Sequence, residues 1–295
     1  MKISAAIVLV LCSAACAAHA EAPAAAGHCA PVTVFGEGSI SLPGDHWESR
    51  LTLSPDRRLA LWTVGNPGTR IMIAERRRGG WGEAKVVPFS GVYEDNDPFF
   101  APDGRTLYFT SKRPLVAGGQ PQEKFDLWMV RYGWRGWGEP THLGPGPNSD
   151  AEELYPSIDR LGNLYFGSNR DGEKWDIWRS ARRPDGRFGT AVKLGDSVNT
   201  AEYWEYNPEI SPDGRTLLFA SLNRPGGYGW GDVYVSRVRR GGFAPAQNLG
   251  ACVNSTADDY HPTMLWPEQR LVWVRNVIED PDFFPDFYTT RVRLP

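Results

Sequence analysis

The feature that most narrows the possible folds is a hairpin-like segment that recurs along the chain. Asn207 to Ser221 reads NPEISPDGRTLLFAS, Asp97 to Ser111 reads DPFFAPDGRTLYFTS, and Tyr155 to Ser168 reads YPSIDRLGNLYFGS. Weaker copies run from Leu51 to Thr63 (LTLSPDRRLALWT) and from Pro262 to Val274 (PTMLWPEQRLVWV). In SPDG, Ser suits the first corner of a type I turn, Pro presets φ at the second, and Asp and Gly complete it. The alternating or apolar runs on either side read as two antiparallel strands.

Each hairpin is followed by a variable loop and a third strand, beginning at Arg70, Asp126, Asp176, Asp232 and Asp286. A Gly-rich turn, such as GGWGEAKVV or GRFGTAVKLG, then leads into a fourth. Four strands per unit at a fixed register predict the blades of a β-propeller. Glu48, Asp95, Glu153, Glu205 and Asp259 stand just ahead of the first strands, spaced 47, 58, 52 and 54 residues apart. The fifth unit reaches Pro295 with no fourth strand, whereas Val32 to Phe35 forms a lone strand near the start. We therefore expect an all-β, five-bladed propeller over residues 32–295, with four antiparallel strands per blade. The N-terminal strand completes the last blade, which removes two open sheet edges.

The combined pattern E-x-x-P, SPDGRTLYF, D-[IV]-[YW], G-x-[FW]-G and LG..VNT resembles the TolB-like (WD-like) β-propeller repeat family. It is similar to the propellers found beside OmpA-like domains in bacterial envelope proteins, although no OmpA-like segment is present here. The resemblance covers the chain beyond its first residues. It implies the propeller fold and an envelope setting, and leaves the task open because propellers carry many tasks.

Lys2, the apolar run Ile3 to Cys16 and Ala18-His19-Ala20 fit a cleaved signal peptide over residues 1–20, with 21–31 as an N-terminal segment. A periplasmic or secreted, monomeric protein is expected. A lipoprotein anchored at Cys16 is less expected, because the usual leucine three residues earlier is missing. The formal charge of −3 becomes −4 once Lys2 leaves, too small and mixed for a nucleic-acid partner. No later stretch is long enough for a transmembrane segment. Cys29 and Cys252 remain after cleavage, and an oxidising compartment favours a disulfide. The expected topology starts them on opposite faces, which leaves the pairing open.

First strands line a propeller's channel, so the five acids fall on one face near its mouth. Two readings stand beside each other. Arg113, Arg170 and Arg224 recur on that face and offer the acids ion-pair partners. Alternatively, the carboxylates converge on a ligand. The expected ligand-binding set is Trp47, Glu48, Asp95, Glu153, Arg170, Trp204, Glu205, Trp230, Asp259 and His261, since rings beside charged groups suit peptide or sugar recognition. A non-catalytic module binding an envelope protein, peptide or glycan is the main expectation. A carbohydrate-active enzyme using Asp95, Asp97 and Glu205 is the alternative. No cofactor is expected. Weak metal sites are His46 with His261 and Asp259, and a Ca²⁺ loop at Glu279 to Asp286.

Overall fold

The middle strands of the repeat have no polar face. Leu59–Gly65 (LALWTVG) and Thr106–Ser111 (TLYFTS) are buried along their whole length, so each needs cover on both sides. In the computed structural model, which describes residues 29–42, 44, 46–277 and 285–295, that cover comes from neighbouring blades. Leu59 and Leu61 pack with Phe100, Leu107 and Phe109 of the second blade. Ala60, Trp62 and Val64, on the opposite side of the same strand, pack with Leu265, Val272 and Phe287 of the fifth. Equivalent apolar clusters fill the boundaries between blades two and three, three and four, and four and five.

The architecture is the five-bladed propeller, built from five antiparallel sheets. The inner strands are Trp47–Leu53, Asp95–Phe100, Glu153–Ile158, Trp204–Ile210 and Asp258–Leu265. They neighbour one another in a closed ring, the first touching both the second and the fifth. Thr33–Val34 pairs antiparallel with Asp286–Arg291 and forms the outermost strand of the last blade.

The outer strands are shorter than their sequences imply. Each fourth strand spans two residues, as in Lys85–Val86, Thr141–His142, Val192–Lys193 and Gln247–Asn248. The Gly-rich stretches are more than turns: in blades one, two and four they form a small extra hairpin with the overrunning third strand. Its returning strands are Gly80–Trp81, Gly136–Trp137 and Gly242–Phe243. The SPDG turns end in a left-handed residue. That is Gly104 (φ 65°), Gly162 (φ 83°) and Gly214 (φ 70°) in the well-formed copies, but Arg57 (φ 60°) and Gln269 (φ 47°) in the degraded ones.

Cys29 and Cys252 are bridged, with Cα atoms 5.3 Å apart. Thr290 Oγ1 donates to the carbonyls of Ala30 and Pro31 at 3.0 and 3.2 Å, which pins the segment carrying Cys29 against blade five. Cys252 lies past the last strand of blade four, so the bridge ties the closing strand to the adjacent blade. The expected signal peptide and the Glu279 to Phe284 part of the acidic loop lie outside the described residues. Among the described residues no helix is long and apolar enough to cross a membrane.

Because the bridge closes a separation of 223 residues, it restricts the unfolded chain strongly. The double variant Cys29→Ser, Cys252→Ser is expected to lose about 2–4 kcal/mol in denaturant unfolding.

Candidate functional site

The five ring acids are all buried, and none is among the described residues that line the cavity on their face. Four of them are fastened inside the repeat. Arg113 holds Asp95 at 2.6 Å, Arg170 holds Glu153 at 2.8 Å, and Arg275 holds Asp259 at 2.7 Å, while Arg224 stands 3.9 Å from Glu205. In three of the four, the Asn-[Ser/Thr] pair that closes the preceding unit supplies further contacts, beside donors from Ser168, Ser221 and the Trp273 indole. Asn148, Asn199 and Asn254 each accept an N–H and donate to the carbonyl of one third-strand residue, namely Leu127, Ile177 and Val233. The next residue then gives both its N–H and its hydroxyl to the following blade's acid: Ser149 to Glu153, Thr200 to Glu205, Ser255 to Asp259. The repeated motif is thus a staple between blades.

Blade one departs from this scheme. Val64 stands opposite Glu48, where Ser111, Ser168 and Ser221 stand opposite the acids of blades two to four. Among the described residues the one ionic partner of Glu48 is His46, with Nε2 at 3.5 Å, and Leu42 N–H donates to it at 3.2 Å. Burial pushes the Glu48 carboxyl up to about 8, with the charge of Asp286 adding to the rise and the Leu42 N–H opposing it.

Two residues beyond each ring acid, every inner strand slips its register. The residue at that point has a left-handed backbone in all five blades: Arg50 (φ 46°), Asp97 (φ 54°), Tyr155 (φ 61°), Asn207 (φ 51°) and His261 (φ 48°). A bulge re-aims a side chain, and the strained backbone of a non-glycine residue is a mark of functional positions. Here the five side chains differ, and they meet around the channel. Arg50 donates to the carbonyls of Pro156 and Pro208 at 3.2 Å, reaches Pro262 O at 3.5 Å, and pairs with Glu209 at 3.2 Å. Its guanidinium also lies 5.4 Å from the centre of the Phe99 ring. The Asn207 Oδ1 accepts the His261 N–H at 3.2 Å, and the Tyr155 and His261 rings meet edge-on at 5.3 Å.

Arg50 and Glu209 separate two cavities. On the acid side is one of about 270 Å³, lined by Trp47, Ser49, Asn96, Asp97, Leu154, Tyr155, Tyr260 and His261. On the turn side is one of about 230 Å³, whose walls include Leu53, Phe99, Ile158, Ile210 and Trp266. In the first, Asp97 is the one carboxylate among the described lining residues. Burial pushes it up to about 7, while Arg50 and the Tyr155 N–H pull it down. His261 is held well below the usual histidine range by burial and by Arg50, and so is neutral.

The structure therefore divides the residues expected from sequence. Trp47, Asp97 and His261 line the acid-side cavity. Trp204 and Trp230 are exposed on the same face, 39% and 50% accessible. Asp95, Glu153, Arg170, Glu205 and Asp259 lie in the blade fastenings, while Glu48 is buried outside that scheme beside His46. His46, His261 and Asp259 turn to different partners: Glu48, Tyr155 and Arg275. Among the described residues no group of three His, Cys, Asp or Glu is placed to hold a metal. Arg50, Tyr155 and Asn207 were not anticipated. Their signal was present, as the position two after each ring acid is the one that reads R, D, Y, N and H between repeating neighbours.

No family model and no curated protein matches the sequence. Solved structures do. The chain is similar to a TolB-type protein from Agrobacterium tumefaciens at 19% identity and a TM-score of 0.53, over 80% of this chain and 72% of that one. It is similar to an α-L-arabinofuranosidase from Lactobacillus brevis at 12% identity and a TM-score of 0.54, over 87% and 94%. It is also similar to a gluconolactonase from Xanthomonas campestris at 14% identity and a TM-score of 0.50, over 90% and 96%. At these identities the likeness is one of fold.

Arg50→Met would leave Glu209 buried without its counter-charge. It is expected to cost about 3–5 kcal/mol in urea unfolding, with much of that recovered in Arg50→Met, Glu209→Gln. For Glu48 the raised folded-state value sets the sign. Between about 4.5 and about 8 the folded protein holds a proton that the unfolded chain has released, so this site's contribution to stability falls as pH rises. Glu48→Gln should therefore melt a few degrees above the wild type at pH about 8.5, with the gap closing toward pH about 4.5.

Proposed function

We propose that the protein is an exported, non-catalytic binding propeller, acting in the periplasm or outside the cell, that takes a projecting group of a protein, peptide or glycan into the acid-side channel mouth. The carrying observation is that the repeating carboxylates are used in fastening blades. Asp97 is left as the single carboxylate among the described residues that line the cavity. Trp47, Tyr155 and Tyr260 supply apolar walls with polar tips, the combination that suits recognition surfaces. Trp204 and Trp230 extend that surface outward. The Cys29–Cys252 bridge supports an oxidising compartment.

A carbohydrate-active enzyme is the competing reading, and the arabinofuranosidase-like ring keeps it in view. Glycoside hydrolysis of the usual kind needs two carboxylates about 5–9.5 Å apart across the scissile bond. Asp95 and Glu205 would have to leave their fastenings to provide the second. The reading proposed asks for no cofactor.

Peptide and glycan arrays probed with the purified chain should give ligands whose retention is lost in Trp47→Ala and weakened in Asp97→Asn. Glycan hydrolysis that disappears in Asp97→Asn or Glu205→Gln would overturn the proposal.

A further inference from the structure

Taking the binding reading as its premise, the chemistry of the cavity narrows what enters it. Asp97 is 3% exposed, and both hydrogen bonds it accepts, from Thr110 Oγ1 and Tyr155 N–H, fall on Oδ2 at 3.3 Å. Oδ1 therefore has no protein donor among the described residues. His261 is 6% exposed and lines the same cavity, with its Nδ1 unpaired. Asn96, also in the lining, has a buried Oδ1 with no donor. Two acceptors without a donor, Asp97 Oδ1 and Asn96 Oδ1, thus belong to residues of one lining, beside an imidazole whose Nδ1 accepts or donates according to its tautomer.

Among the described residues no cation lines this cavity. Arg50 lies beneath it, with its guanidinium spent on Glu209 and the carbonyls of Pro156, Pro208 and Pro262. The walls are the rings of Trp47, Tyr155 and Tyr260, and the Tyr260 ring lies 4.9 Å from that of His261. Aromatic faces attract cations, and a buried carboxylate is costly until a counter-charge reaches it. An ammonium carries three donors and no acceptor, which matches this set. A neutral hydroxyl leaves the carboxylate with only the pull of Arg50, which Glu209 shares, and a carboxylate ligand would be repelled by it.

We infer that the acid-side cavity receives a primary ammonium group of a peptide, its amino terminus or a lysine side chain, with Asp97 Oδ1 as counter-ion and Trp47, Tyr155 and Tyr260 as walls.

The test uses the oxidised chain at pH about 7.5, where Asp97, pushed up to about 7, is mostly ionised and a peptide α-amino group, which titrates at about 7.7–8.0, is still mostly protonated. Titrations by calorimetry and by NMR of the tryptophan indole N–H signals would compare Ala-Ala-Ala-amide, its N-acetylated form, and N-acetyl-lysine methylamide. We expect saturable binding of an ammonium-bearing probe, at least about tenfold weaker once that amine is acetylated, with a similar loss in Asp97→Asn. Asparagine suits the left-handed backbone at this position, so that variant should fold. The two free-amine probes separate an amino terminus from a lysine as the source. Equal binding of the acetylated probe, indifference to Asp97→Asn, or no binding of either free amine would overturn the inference. If an array ligand still depends on Trp47 while the amines do not bind, the ammonium assignment falls and the binding reading stands. Glycan hydrolysis dependent on Asp97 would remove both.

Discussion

The guanidinium of Arg50 is the interaction on which the ring depends. It starts in blade one, rests over Phe99 of blade two, and bonds to Pro156 of blade three, Pro208 and Glu209 of blade four and Pro262 of blade five. One buried cation thereby contacts every blade. Burying it is tolerable because Glu209 balances its charge and carbonyls take up its donors. The three carbonyls belong to the proline of E-x-x-P, a residue that reads locally as strand punctuation. Seen around the ring, the prolines of blades three, four and five are a set of acceptors for one cation. Blade one alone has Leu51 in place of that proline, next to the arginine those three accept from.

The fold was legible because its constraints are local and repeated. The SPDG turn, the apolar middle strand and the lone N-terminal strand each follow from neighbouring residues, and counting them gave the blades and their closure. The two-residue outer strands and the extra hairpins were not legible. They arise where a third strand runs past the blade boundary and a glycine-rich stretch folds back on it. Neither effect changes the hydrophobic pattern.

The site was only partly legible, for the opposite physical reason. Repetition drew attention to the ring acids, yet a feature present in every blade tends to serve what every blade needs. Arg275 filled the fastening role in blade five without the spacing seen for Arg113 and Arg170, and the partner of Glu48 is a histidine. The channel-facing set, Arg50, Asp97, Tyr155, Asn207 and His261, is recognisable as a group only once the register slip is known. Before that, alternation assigns these residues the same face as the acids two positions earlier. The bulge separates the two, turning one into the blade boundary and the other into the channel.

The closing strand has a mechanical consequence. Thr33–Val34 is only two residues long, and it pairs with Asp286–Arg291, the last strand among the described residues, in one blade. Tension arriving from the N-terminal side would otherwise unzip that short ladder first and open the ring. The Cys29–Cys252 bridge lies upstream of the ladder and hands the load to the loop between blades four and five. A pull applied ahead of Cys29 is thus routed around the weakest seam into a neighbouring sheet, and the ring can stay shut under it.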